Sequence, residues 1–263
     1  MIPIRRPPLP PELNDRAQAL TRKILNHDAA DRTQRARSLW KSSPVRDEIL
    51  ATLQNMAHGI SACMYCGHHM ADTVDHYVPL SENPAQTFCR HNHLLSCSTC
   101  NSRYKLNNFE REILGVPKLI DPTREDPFDH LHLNIDTGIY QAITARGEYT
   151  LRICGLNERR LPEARERARR DIQLHLEGWS RAHSEGNDAR LKDFTAAIRE
   201  QPLSVVCQSM LRQARHPAAE VFFSAFPGLL LLLRMPELHE ALLITHDDTC
   251  LHFPGQRRQL RVR

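Results

Sequence analysis

A chain of 263 residues, 41% hydrophobic and 25% charged, has ordinary globular composition and is long enough for one large domain or two small ones. A formal charge of +4 permits a nucleic-acid partner without demanding one. No apolar run reaches membrane-spanning length, the longest being GLLLLL at 228–233, and MIPIRRPPLPPEL at the start has no signal-peptide core; a cytoplasmic chain with no membrane partner is expected.

Residues 1–11 hold five prolines and should be extended. Residues 12–30 read as a helix with Leu13, Ala17, Leu20, Ile24 and Leu25 on one side. Ser43 and Pro44 look like the start of a second helix, with Val45, Ile49, Leu50, Leu53 and Met56 as its buried stripe and Gly59 as its end. Residues 60–110 are rich in Cys, His and Asn. Pro117, Pro122 and Pro127 punctuate a connecting loop. HLHLNI and IYQAIT then read as a hairpin around Asp136 to Gly138.

A long helix is expected from Leu161 to about His183. Its start carries six arginines between 158 and 170, interleaved with Glu158, Glu163 and Glu166; this is the pattern of a solvated, ion-paired face more than of a nucleic-acid contact. Residues 188–244 read as further helices, two of them opened by Pro202 and Pro236. The expected class is α+β, mainly helical. The expected division is an N-terminal arm and helices (1–59), a core rich in Cys and His (60–115), a hairpin and long helix (116–184) and a helical C-terminal region (185–263).

Eight cysteines in a reducing compartment argue for a metal site plus buried thiols rather than disulfides. Cys63 and Cys66 form one C-x2-C pair; thirty residues later Cys97 and Cys100 form another. Two such knuckles supply four thiolates, enough for a closed tetrahedral zinc site. A closed site has no position for substrate, so this zinc is structural. Cys89, Cys154, Cys207 and Cys250 lack such spacing and read as small buried residues.

Between the knuckles lies TVDHYVPL. Asp75-His76 at a strand end sets an oxygen ligand beside a general base, on opposite faces. With Asn92 and Asn101 the pattern becomes Asp75-His76-x2-Pro79, Asn92-x-Leu94 and Cys97-x2-Cys100-Asn101-x3-Lys105. Framed by the first CxxC, it resembles the HNH endonuclease family and its ββα-metal core. The resemblance implies that His76 is the general base and that Asn92 braces the loop carrying it. It further implies that Asp75 and Asn101 hold a catalytic Mg2+ or Mn2+. If the segment after Cys97 opens a helix, Lys105 would lie one turn from Asn101 and contact the phosphate. His68, His69, His91 and His93 crowd the same segment without an assigned role.

The order of segments across roughly residues 60–175 is similar to a narrower group, the HNH subunits encoded beside an ATPase in anti-phage systems of the Septu and retron-associated kind. That similarity implies a defence nuclease acting on DNA or RNA in complex with an ATPase. The C-terminal half would dock through anchors such as Phe222, Phe223 or Phe226, and residues 1–11 would serve as a docking arm. The rival readings are a stand-alone restriction-type endonuclease and a non-catalytic zinc-knuckle module.

Overall fold

The computed structural model describes residues 1–158 and 160–245. Cys250 lies outside them. The chain begins with α1 (Pro11–Leu25), α2 (Arg32–Ser42) and α3 (Val45–Met56). Pro11 and Glu12 open α1 and Arg22 and Lys23 close it, each charge complementing its end of the helix dipole. The single helix expected over 12–30 instead stops at Leu25, and α2 follows as an element the sequence did not announce. Only Ala36 and Leu39 of α2 are buried, too sparse a stripe to stand out among Arg and Ser. In α3 the apolar spacing works as expected: Val45, Ile49 and Leu53 fall four residues apart on the buried face.

Strands β1 (Thr73–His76) and β2 (His93–Ser96) pair antiparallel, with Thr73 opposite Ser96, Asp75 opposite Leu94 and His76 opposite His93. A π-helix, Thr99–Lys105, follows β2 directly. Its wider winding is marked by the Leu106 N–H, which donates to the carbonyl five residues back, Asn101 O, at 2.8 Å. Hairpin and helix together make a β-β-helix unit.

The second hairpin, β3 (Leu131–Leu133) with β4 (Tyr140–Ala142), falls where the sequence put it. Gly138 turns it at φ 66°, and a Cβ there would lie 2.2 Å from the Pro162 carbonyl oxygen, so no other residue fits. Beyond it come α4 (Ala145–Ile153), α5 (Arg160–Ser184), α6 (Asp188–Glu200), α7 (Val205–Gln213), α8 (Ala219–Phe222), α9 (Pro227–Leu233) and α10 (Pro236–Leu242). The chain is thus α+β and mainly helical, with two two-stranded sheets among the described residues. One apolar core runs from Met1 to Leu242. It is tied across the chain by Leu203 N–H to Gly67 O (3.0 Å) and by Gln213 Nε2 to Leu133 O (2.7 Å). No helix among the described residues is long and apolar enough to cross a membrane.

Three expectations change. The start of the proline-rich arm is folded in: Ile2, Ile4 and Arg6 are buried and Ile4 N–H donates to Pro122 O at 2.9 Å, while Arg5, Pro8 and Pro10 are exposed. The aromatic anchors are already engaged. Phe223 is 1% exposed, Phe222 packs on His132 and His216, and Phe226 lies under Arg169, whose guanidinium carbon is 4.2 Å from the ring centroid. The arginine-rich start of α5 is not one solvated face either. Arg165 is buried and donates to Gly138 O and Leu156 O at 2.8 and 2.7 Å, stitching helix to hairpin, while Arg170 keeps the expected surface pairing with Glu166.

Candidate active site and cysteine centre

The first knuckle is a tight turn. Cys63 N–H donates to His68 O and Gly67 N–H to Cys63 O, both at 2.8 Å, with Gly67 at φ 78°. Met64 N–H donates to Leu95 O at 2.9 Å and so fastens the turn to β2. The second knuckle sits where β2 runs into the π-helix. The four sulfurs of Cys63, Cys66, Cys97 and Cys100 all lie within 4.8 Å of one another, and Cys66 and Cys97 are 3.9 Å apart. A tetrahedral ion with metal–sulfur bonds of about 2.3 Å sets its ligands about 3.8 Å apart. All four thiols are free rather than disulfide-bonded. So closely packed, they cannot all ionise alone; the neighbouring thiols push Cys100 far above the ordinary thiol range. A divalent cation removes that repulsion. The donor set and its spacing fit a metal ion such as zinc. Cys154 and Cys207 are buried as expected, and Cys89 is partly so.

β1 turns Asp75 and His76 to opposite faces. His76 meets Trp40 of α2 edge-on at 4.5 Å and its cross-strand partner His93 at 5.2 Å. Its Nε2 lies 3.0 Å from Thr87 O. A carbonyl only accepts, so Nε2 carries the proton and Nδ1 presents a lone pair. Burial lowers the His76 pKa from 6.5 to about 4, against the smaller opposing effects of the Thr87 bond and Asp75. The ring is therefore neutral at pH 7, the state in which it accepts a proton.

Asn92 opens onto β2 and ties down the segment after His76. Its Oδ1 accepts from Val78 N–H at 2.7 Å, its Nδ2 donates to Val78 O at 3.0 Å, and Tyr77 N–H donates to its backbone carbonyl at 2.8 Å. His93, given no role from sequence, is the residue missed. It is buried, shares the Thr87 carbonyl with His76 (Nε2 at 2.7 Å), and leaves Nδ1 buried without a partner. The signal available was its register: once TVDH and HLLS are paired, His93 falls opposite His76. His68 is exposed on the first knuckle's turn, and His91 is exposed ahead of β2.

On the other face, Asp75 is 2% exposed. Its Oδ1 accepts from Lys105 Nζ at 3.0 Å and its Oδ2 from the Tyr65 hydroxyl at 2.6 Å. Lys105 is 0% exposed and also donates to His76 O at 2.9 Å. The Lys105 ammonium, expected to contact phosphate, is here enclosed between strand and helix. Asn101 lies on the same side, with Nδ2 donating to Thr73 Oγ1 at 3.2 Å. Carboxylate and amide are the right donor types for a hard divalent cation. As arranged they do not fit one: both Asp75 oxygens are engaged, and the ammonium already supplies the positive charge.

The hairpin, the π-helix and the cysteine cluster define a β-β-helix unit with a four-sulfur centre and a neutral, oriented histidine at a strand end. No family model matches the chain, and no solved structure matches it. It is similar to the Septu protein PtuB of Bacillus mycoides (strain KBAB4), at 32% identity over 97 residues. That stretch is 32% of this chain and 32% of the relative, so the match spans about a third of the relative's length.

Proposed function

We propose that the chain is an HNH-type endonuclease that hydrolyses nucleic-acid phosphodiesters, and that it serves an anti-phage system in complex with an ATPase. The observation that carries the reading is His76: neutral, its Nε2–H fixed on Thr87 O, its Nδ1 left as an acceptor, and the following loop held by Asn92. In this reading Nδ1 takes a proton from water while the water oxygen attacks phosphorus. The bond from phosphorus to the departing sugar oxygen breaks, and that oxygen takes up a proton. The four cysteines would hold structural zinc and so fix the register of hairpin against helix. Magnesium or manganese enters the reading only with Lys105 withdrawn from Asp75; the base, its tautomer and its brace stand without it. Similarity to a Septu protein and the order of segments over residues 60–175 support the defence role.

The test is incubation of the purified chain with DNA and with RNA in Mg2+ or Mn2+, followed by co-expression with the product of the neighbouring gene and size-exclusion chromatography. Cleavage by the wild type, its loss in His76→Ala, and co-elution with an ATPase are the expected results. One observation favours a second reading, a non-catalytic zinc module: the Asp75 carboxylate is closed off by Lys105 and Tyr65. Zinc-loaded protein that binds nucleic acid and never cleaves it would select that reading.

A further inference from the structure

Arg6 brings a cation from the start of the chain to the turn before β2 and to His93, the first residue of β2. It is 7% exposed, and its donors go to neutral acceptors. Nη1 donates to the carbonyls of Arg90 and of His93, the latter at 2.8 Å, while Nε and Nη2 donate to Thr123 Oγ1 at 3.2 and 2.9 Å. Arg90 and Arg124 therefore stand beside it, one in the turn Arg90–Asn92 before β2, the other next to Thr123. The carboxylate among these three guanidinium groups is Asp121, whose Oδ2 lies 3.2 Å from Arg124 Nε and whose Oδ1 accepts from Thr123. Among the described residues, Asp121 is the carboxylate paired with this cluster, since neighbouring Glu125 is held by Arg146. Arg90 bears the consequence: burial, and secondarily the Arg6 charge, lower its pKa to about 10, and its Nη2 is buried without a hydrogen-bond partner. Uncompensated, half-buried positive charge costs stability unless an anion arrives to offset it.

The position of the cluster says which anion. Arg6 holds the carbonyl of His93, and the His93 ring is 5.2 Å from that of His76. A guanidinium fork matches the paired oxygens of a phosphodiester. We propose that Arg90 and Arg124, grouped with the buried Arg6, form a seat for a backbone phosphate of a nucleic-acid strand that runs past the turn before β2. The inference rests on the endonuclease reading and gives the phosphate contact to Arg90 and Arg124 in place of Lys105.

The test measures binding apart from cleavage. In a His76→Ala background, with no divalent ion added, fluorescence anisotropy reads the affinity of the chain for labelled single-stranded and duplex DNA and RNA oligonucleotides across a salt series. Arg90→Gln and Arg124→Gln should each weaken binding roughly 3- to 10-fold at low salt and lower the slope of log K against log salt by about one. Arg170→Gln, an exposed arginine paired with Glu166 on α5, should change neither. Unchanged zinc content and thermal unfolding would show that the variants fold. Parent-like binding by Arg90→Gln and Arg124→Gln, or an equal loss in Arg170→Gln, overturns the seat while leaving cleavage by the wild type intact. If the parent chain binds no oligonucleotide and the wild type cleaves none, the endonuclease reading and the seat fall together.

Discussion

Lys105 separates what spacing can reveal from what only the fold can. Its place four residues after Asn101 was visible in the sequence; its partner was not, because Asp75 lies thirty residues away and Tyr65 sits inside the first knuckle. A buried ammonium and carboxylate tolerate each other only as a pair. Lys105→Met would leave Asp75 charged and enclosed, at a cost of about 3–5 kcal/mol. Urea unfolding of the variant checks this, and unchanged stability would mean that Lys105 reaches the surface after all. The cluster of four cysteines was legible because ligand spacing leaves a local signature, whereas Asn92 was singled out by resemblance alone. Trp40, Thr87 and Arg6 were not, since each reaches the site from a segment that only the tertiary fold brings near.

Elements were legible where their pattern was periodic and local. The stripe of α3, the turn at Gly138 and the length of α5 all followed from sequence. Helix α4 did not, although Thr144 caps it by accepting from Gly147 N–H, because its short apolar spacing merges with the preceding strand. What anchors α4 is electrostatic. Arg146 grips Glu125 on the proline loop with both terminal nitrogens, Nη2 to Oε1 at 2.6 Å, and reaches Pro117 O with Nε at 2.9 Å. Burial alone would raise the Glu125 pKa, but hydrogen bonds from His130, Arg146 and the Asp121 backbone outweigh it and bring it from 4.5 to about 2. The stability this provides is complete above pH 4.5 and is lost as pH falls from there toward 2, by roughly 2–3 kcal/mol. Glu125→Gln should therefore be less stable than wild type at pH 6, with most of that difference gone at pH 2.5, as read from urea midpoints. A constant difference at both pH values would assign the effect to packing rather than charge.

For the whole molecule, the cysteine centre is joined to both halves. The first knuckle meets the C-terminal helices through Gly67 O and Leu203 N–H, and the second runs into the helix carrying Asn101 and Lys105. Cys97→Ser should accordingly lose the metal and lower the melting temperature of the entire chain in one transition, rather than release a local loop. Elemental analysis beside calorimetry tests both halves of that statement; a metal-free variant that melts like wild type would refute the coupling. The same connectivity draws part of the expected docking segments inward: Met1, Ile2, Ile4 and Phe223 join the chain's own core. Other apolar side chains stand clear, among them Ile113 and Leu114 on the loop after the π-helix and Val221 and Leu231 in the C-terminal half, and nothing in the sequence marked them apart from a buried segment.

Cleavage by purified wild type and His76→Ala, measured side by side on the same DNA and RNA with zinc content and melting temperature recorded for both, tests the role of His76 most directly. Wild type should cleave, and His76→Ala should lose cleavage by about 100-fold or more with its metal intact. Near-normal cleavage by His76→Ala would contradict the assignment of His76 as the base.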